Sequence, residues 1–90
     1  MYTIYTTNKF DKDYKLCLKR GLDTSLLKAA VYLLEQSGKL TPKYKTHKLR
    51  GNYDNHFECH IQPDWLLIWV LDIPNSAIYL VRTGTHSDLF

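Results

Sequence analysis

The segment WLLIWVL, Trp65 to Leu71, constrains the fold more than any other part of the sequence. Every position in it is apolar, so a strand built from it is hydrophobic on both faces. Such a strand is stable only inside a sheet, with a neighbour along each edge and cover on each face. We therefore predict a central strand here.

Turn residues flank this segment and delimit its neighbours. QPD, residues 62–64, precedes it, and DIPNS, residues 72–76, follows it; Pro, Asn and Asp all favour turns. Before the first turn, HFECHI, residues 56–61, alternates apolar with ionisable residues, which predicts a strand with one face toward the core. After the second turn, AIYLVR, residues 77–82, predicts the last strand.

The first half of the chain predicts one strand and two helices. YTIYT, residues 2–6, is β-branched and aromatic, and two amphipathic stretches follow it, ending at Gly21 and at Gly38. A short strand near residues 48–51 completes the order β-α-α-β-β-β-β. We expect one α+β domain, residues 1–90, with a two-helix hairpin packed on one face of a mainly antiparallel sheet of four or five strands.

Composition narrows the class of function. The chain has 12 Lys and Arg against 9 Asp and Glu, a net charge of +3 that suits a partner with phosphates. It shows no charged-then-apolar leader and no apolar run of membrane-spanning length, so we expect a cytoplasmic protein with no membrane partner. Cys17 and Cys59 occupy apolar positions, and we expect both to be buried, reduced thiols.

The two turns bring polar side chains to one end of the central strand, the end that begins at Asp64. The turn at Pro63 sets the preceding strand beside this end, and the last strand returns to it. The ionisable residues expected to meet there are His47, Arg50, His60, Asp64, Arg82 and His86.

This set has the chemistry to cleave RNA through the RNA's own 2′-hydroxyl. Histidine exchanges protons near neutral pH, and Asp64 can orient an imidazole or act as a base. Arg82 can bind a phosphate and stabilise charge that develops on it. Trp65, Phe90 and Tyr53 offer rings on which an unpaired base can stack. No metal ion or other cofactor is needed for this chemistry.

Zinc binding is an alternative for the polar face of HFECHI. His56, Glu58 and His60 share that face, and His47 or His86 can supply a further ligand. Positions i and i+4 of a strand lie about 13 Å apart, however, which is too far for one ion to bridge easily.

Three motifs in this sequence, YKTHKLRG, CHIQPDWLLIW and VRTGTHSDLF, resemble in order and spacing the YafQ branch of the RelE superfamily of bacterial toxins. The resemblance implies the RelE-like fold, with both helices on a curved sheet. It also implies a ribosome-dependent mRNA interferase, an endoribonuclease that enters the ribosomal A site and cuts the mRNA there. The implied partners are mRNA, the 16S rRNA of the 30S subunit and a cognate antitoxin, whose complex with the toxin binds operator DNA.

The resemblance also implies roles for individual residues. His86 is expected to be the general acid that protonates the leaving 5′-oxygen, and Asp64 with His60 or His47 to provide the base and orient it. Arg82 is expected to stabilise the transition state. The predicted substrate-binding residues are Lys48, Arg50, Trp65 and Phe90. The family often has Pro where Lys48 stands and Arg where Phe57 stands, so this chain departs from its pattern at those two positions.

The alternative function is a non-catalytic module that binds RNA or an antitoxin, a toxin that has lost its activity. Internal ion pairs within the set favour it, such as a pair between Arg82 and Asp64 or Glu58. Separation of His60, Asp64 and Arg82 in space favours it as well.

Overall fold

The computed structural model describes residues 1–51 and 55–90, which form three α-helices and five strands. Along the chain they are β1 (Thr3–Thr6), α1 (Asn8–Lys19), α2 (Thr24–Ser37), β2 (His47–Lys48), β3 (His56–Gln62), β4 (Trp65–Asp72), β5 (Ala77–Gly84) and α3 (His86–Leu89). A 3-10 turn, Pro42–Tyr44, connects α2 to β2. The predicted α+β order is confirmed, and α3 is an addition to it.

The sheet has the order β1-β5-β4-β3-β2, so the apolar segment forms its middle strand, as predicted. Neighbouring strands are antiparallel except β1 and β5, which are parallel. The helices between β1 and the rest of the sheet provide the long connection that a parallel pair requires.

Both long helices pack on one face of the sheet and form the main core with it. Their buried residues meet Cys59, Leu67 and Trp69 of the central strands, and Trp65 is buried in the same cluster. Local signals set the helix ends, because Thr7 caps the start of α1 and Gly38 ends α2 at φ 71°.

The opposite face of the sheet, here called the open face, has a smaller apolar cluster. Leu66 and Ile68 of β4 are buried there beneath Leu89 of α3, with Leu49 and Val81 packed around them. Residues that pair across adjacent strands share a face. His60 pairs with Leu66, and Glu58 and Arg82 pair with Ile68, so these residues also belong to the open face.

The β4–β5 ladder contains one irregularity. Arg82 pairs with Ile68 and Leu80 with Trp69, which leaves Val81 as an extra residue. The last strand was expected to bring residues near Arg82 back beside Leu66, and the residue opposite Leu66 is Gly84, two positions after Arg82.

Both cysteines are free and buried, as expected. Burial raises the pKa of the Cys59 thiol to about 12, and burial also raises the pKa of Cys17. Within residues 1–51 and 55–90, no helix combines the length and apolar character that a membrane crossing requires.

Candidate active site

Asp64 and His86 form a hydrogen-bonded pair at the end of β4. Asp64 Oδ1 lies 2.8 Å from His86 Nδ1 and accepts a hydrogen bond of 3.0 Å from the His86 backbone N–H. These two contacts, the backbone one first, lower the pKa of the Asp64 carboxyl below its ordinary value. The carboxylate accepts from Nδ1–H, so His86 exchanges protons through Nε2.

His60 is oriented in the same way but by a neutral partner. Its Nδ1 lies 3.2 Å from the carbonyl oxygen of Pro63. A carbonyl can only accept, so Nδ1 of His60 carries a hydrogen and the lone pair of the neutral ring is on Nε2. The turn that follows β3 therefore fixes which nitrogen of His60 can take up a proton.

The imidazoles of His60 and His86 face each other across the corner of the sheet. Their ring centroids are 5.9 Å apart, with the planes tilted by 47°. The Asp64 carboxylate offsets a positive charge on His86, whereas the Pro63 carbonyl carries no charge. The pair therefore offers a site to hold a proton beside a site to accept one, which is what acid–base catalysis needs.

The tail that carries His86 is anchored to α1. Thr85 and Asp88 form a reciprocal capping box at the start of α3, and Arg20 donates two hydrogen bonds, of 2.6 and 3.1 Å, to Asp88. Gly84 leaves room for this cap, since a Cβ there would lie 2.8 Å from an oxygen of Asp88.

The Arg20 guanidinium, followed by the Thr85 backbone N–H, holds the pKa of the Asp88 carboxyl well below its usual range. Because its pKa is lowered by folding, the ionised Asp88 stabilises the folded chain at pH values above the pKa of an unfolded Asp, about 3.9. This stabilisation is lost as the pH falls through the lower pKa that Asp88 has in the folded chain.

The sequence analysis named Glu58 as a zinc ligand or an ion-pair partner of Arg82, but not as a partner of His47. Its side chain is 6% exposed, and Oε1 lies 3.2 Å from Nε2 of His47. Among the described residues, Glu58 Oε2 is a buried side-chain oxygen that no hydrogen-bond donor reaches. The available signal was its position between His56 and His60 on the ionisable face of β3, but that pattern also fits a solvated strand face.

His47 is held between two acceptors. Nδ1 lies 3.3 Å from the Lys45 carbonyl oxygen, and Nε2 faces the Glu58 carboxyl. Both ring nitrogens of His47 therefore face oxygen atoms of the protein itself, so neither is open to a substrate in this arrangement.

Arg82 lies on β5 and is paired with α1. Its Nε and Nη2 donate to the two oxygens of Asp13 at 2.7 and 3.1 Å, and the Thr83 backbone N–H donates to the same carboxylate at 3.1 Å. The predicted pairing of Arg82 with Asp64 or Glu58 is therefore replaced by a pair with Asp13. Sequence offered no signal for this contact, because the two residues are 69 positions apart.

The predicted substrate-binding residues have different environments. Phe90 is 63% exposed at the end of the tail, and Arg50 is exposed after β2. Trp65 is 1% exposed, and its indole N–H donates to Thr83 Oγ1 at 2.9 Å, so the prediction that a base stacks on it is wrong. Tyr53 lies outside the described residues.

Within the part of the chain that the structure describes, no group of three or more His, Cys, Asp or Glu side chains is arranged to hold a metal ion. The zinc arrangement of His56, Glu58 and His60 is thus not formed. The alternation places the three side chains on one face, but the strand spreads them out.

Comparison with known proteins identifies the family of this chain. The family model described as "Bacterial toxin of type II toxin-antitoxin system, YafQ" matches residues 2–90. The chain belongs to the YafQ family. It is 36% identical over 85 residues to the mRNA interferase toxin YafQ of Escherichia coli, covering 93% of this chain and 90% of that protein. The description of this relative confirms the predicted enzyme class, an endoribonuclease.

Solved structures of bacterial toxins share the fold. A metal-bound toxin from Helicobacter pylori aligns with a TM-score of 0.92 and 44% identity over the full length of both chains. A chain of the E. coli DinJ–YafQ complex aligns with a TM-score of 0.90 and 35% identity, covering 100% of this chain and 99% of that one. The expected RelE-like fold is therefore confirmed.

The two departures from the YafQ pattern contact each other. The Lys48 ammonium lies 5.7 Å from the centre of the Phe57 ring, within cation–π range. Phe57 also stacks on Trp69, so the two residues that pair across β2 and β3 belong to the helix-covered side of the sheet. Lys48, a predicted substrate-binding residue, is thus on the side opposite His60.

The Asp13–Arg82 pair gives a prediction about stability. We expect Asp13→Asn to lower the free energy of unfolding by about 2 kcal/mol, because it weakens charged hydrogen bonds to a partly buried guanidinium. Urea unfolding followed by tryptophan fluorescence measures this. Asp11→Asn, an exposed change on the same helix, is the control. Equal losses in the two variants would show that the ion pair adds no stability.

Proposed function

We propose that this chain is an mRNA interferase toxin, a single-domain endoribonuclease that cuts mRNA in the A site of a translating ribosome. The proposal is supported by membership of the YafQ family and by the name of the E. coli relative, mRNA interferase toxin. The observation that carries it is the 5.9 Å separation of the His60 and His86 rings at a corner where Asp64 orients one of them.

The reaction uses the two Nε2 atoms. His60 Nε2 removes the proton of the 2′-hydroxyl, and the 2′-oxygen forms a bond to the adjacent phosphorus. The bond from phosphorus to the 5′-oxygen breaks, and His86 Nε2 gives that oxygen its proton. The products are a 2′,3′-cyclic phosphate and a free 5′-hydroxyl. The exchange leaves His60 protonated and His86 neutral, so solvent resets both rings.

The neighbouring residues supply orientation and charge. Asp64 keeps the His86 ring directed by accepting from Nδ1, and it offsets the positive charge of that ring before proton transfer. Arg82 brings positive charge to stabilise the phosphorane-like transition state, with Asp13 fixing its position. Phe90 provides a ring for the substrate base. His47, whose Nε2 faces Glu58, leaves the role of base to His60.

The Arg82–Asp13 ion pair is the observation that favours the second candidate function, a non-catalytic module that binds RNA or an antitoxin. A guanidinium already holding a carboxylate must share or exchange that partner to meet a phosphate. The two candidates differ in what happens to the mRNA, since a binding module leaves it intact.

The partners follow from the same proposal. The net charge of +3 suits contact with mRNA and with the 16S rRNA of the 30S subunit in the cytoplasm. The E. coli relative has been crystallised with DinJ as a toxin–antitoxin complex, so we propose a cognate antitoxin for this chain. Operator DNA is contacted only through that complex.

A cell-free translation reaction with one defined mRNA tests the proposal. We expect the protein to stop translation and to leave mRNA ends inside the codon of the A site, mapped by primer extension. The same mRNA without ribosomes should stay intact. Stopped translation with whole mRNA would overturn the nuclease and leave the binding module.

The metal-independent mechanism is tested in the same reaction. Protein stripped with a chelator and returned to a magnesium buffer that supports ribosomes is compared with protein given zinc or copper. Cutting that returns only with a transition metal would contradict the acid–base mechanism.

A further inference from the structure

Two exposed tyrosines lie beside each other on the open face of the sheet. Tyr5 of β1 pairs with Tyr79 of β5, and Tyr79 pairs with Val70 of β4. Their neighbours along the strands, Ile4 and Ile78, belong to the helix-covered core. Alternation therefore directs Tyr5 and Tyr79 to the open face.

The two rings form a stacked pair that the protein leaves accessible. Their centroids are 5.2 Å apart and their planes differ by 19°. This separation is close to the strand spacing of about 4.8 Å, so the rings stand side by side across the two strands. Tyr5 is 49% exposed and Tyr79 is 38% exposed. Among the strands that the structure describes, β1 is at the edge of the sheet, so none of them lies beyond the outer face of the Tyr5 ring.

The tyrosine pair lies on the same face of the sheet as the candidate active site. Along β4 the open-face residues after Val70 are Ile68 and then Leu66, which is opposite His60. The distance from Val70 to Leu66 is about 13 Å at the rise of a strand. Leu89 packs on Leu66 and Ile68, so the tail lies between the two places. A single-stranded RNA of several nucleotides can reach both.

We infer that the Tyr5–Tyr79 pair is a stacking site for an unpaired base of the substrate RNA that flanks the bond to be cut. The inference rests on the proposed function and adds a binding residue pair to the same site. Aromatic side chains bind single-stranded nucleic acid through the faces of the bases, whatever the base. The charge of the protein also favours RNA as the ligand, because a net charge of +3 attracts the phosphates of RNA.

Nuclear magnetic resonance on the unaltered protein is the first test. Short single-stranded oligouridylate or oligoadenylate is titrated in, and the ring signals of Tyr5, Tyr79 and Tyr32 are followed. Stacking of a base shifts the ring protons of Tyr5 and Tyr79 upfield and leaves Tyr32, which is 61% exposed on α2, unchanged. RNA that shifts signals of the His60 corner but not of the tyrosine pair overturns the inference. Absence of any shift at saturating RNA also overturns it.

Variants test how much the Tyr5–Tyr79 pair contributes to the cutting of mRNA. The alanine pair, Tyr5→Ala with Tyr79→Ala, removes both rings, and the phenylalanine pair, Tyr5→Phe with Tyr79→Phe, keeps them. The control Tyr32→Ala removes an exposed tyrosine ring on α2. At toxin concentrations far below saturation we expect the alanine pair to cut ribosome-bound mRNA about tenfold more slowly, the typical effect of one lost base stack. The phenylalanine pair and Tyr32→Ala should match the wild type. Thermal unfolding of each variant shows whether its fold is intact.

The outcomes separate this inference from the proposed function. If the alanine pair cuts as fast as the wild type, the nuclease stands and the stacking site is overturned. If the wild type cuts no mRNA but its tyrosine signals shift with RNA, the stacking site stands and the nuclease falls. If the alanine pair loses only its antitoxin, the rings serve a protein partner and the inference is overturned.

Discussion

His86→Ala should reduce mRNA cutting by about 10²- to 10⁴-fold, the usual contribution of a positioned general acid. The leaving 5′-oxygen is a strongly basic alkoxide unless it receives a proton as its bond to phosphorus breaks. His86 Nε2 is the atom assigned to give that proton, because Nδ1 is held by Asp64 at 2.8 Å. The rate is measured on stalled ribosomes with toxin in excess, so that a single cut is followed.

A modified substrate makes this test specific to acid catalysis. An mRNA whose leaving 5′-oxygen is replaced by sulfur needs no proton at that atom, because a thiolate is a good leaving group. We expect the His86→Ala variant to cut the sulfur substrate nearly as fast as the wild type does. His56→Ala, a histidine change on β3 away from the His60–His86 ring pair, is the control. A defect equally large on both substrates would mean that His86 is not the acid.

His60→Ala should show a loss of similar size, about 10²- to 10⁴-fold, but with the opposite substrate dependence. The sulfur substrate still needs a base to remove the 2′-hydroxyl proton, so the defect should persist on it. The wild-type rate on the sulfur substrate is the reference, and a His60→Ala variant that reaches this rate would mean that His60 is not the base.

His47→Ala is the matched comparison for the base. Its ring lies between the Lys45 carbonyl and the Glu58 carboxyl, so we expect this variant to lose much less activity than His60→Ala does on both substrates. A loss that is large in His47→Ala and small in His60→Ala would transfer the role of base to His47. It would also mean that the Glu58 contact opens when RNA binds.

Much of the fold was predictable because its signals are local. The wholly apolar segment of β4, the alternation of β3 and the glycine after each long helix each depend on a few neighbouring residues. The bulge at Val81 was not predictable in this way, since a ladder irregularity depends on how two strands fit together. The capping box of α3 was present in the sequence as Thr85 and Asp88, but no element was predicted after the last strand.

The site was predictable where it depends on turns and less so where it depends on distant contacts. The short turn at Pro63 is enough to bring His60 near Asp64. The partner of Arg82 is on a helix 69 residues away, and no pattern in the sequence connects the two. Trp65 was assigned to the substrate because indoles stack on bases, but it is buried in the main core between the helices and the sheet. The contact of Glu58 with His47 was not predicted, because burial of a carboxylate is a tertiary property.

The deep thiols of Cys17 and Cys59 make alkylation a measure of how often the native core opens. Only the thiolate reacts, and burial together with the raised pKa of both groups keeps the closed molecule inert at neutral pH. Labelling by iodoacetamide under native conditions therefore reports transient exposure of the interior beneath α1 and of strand β3. Each variant described above can be checked this way for a loosened interior without denaturant, separately from any change at its imidazoles.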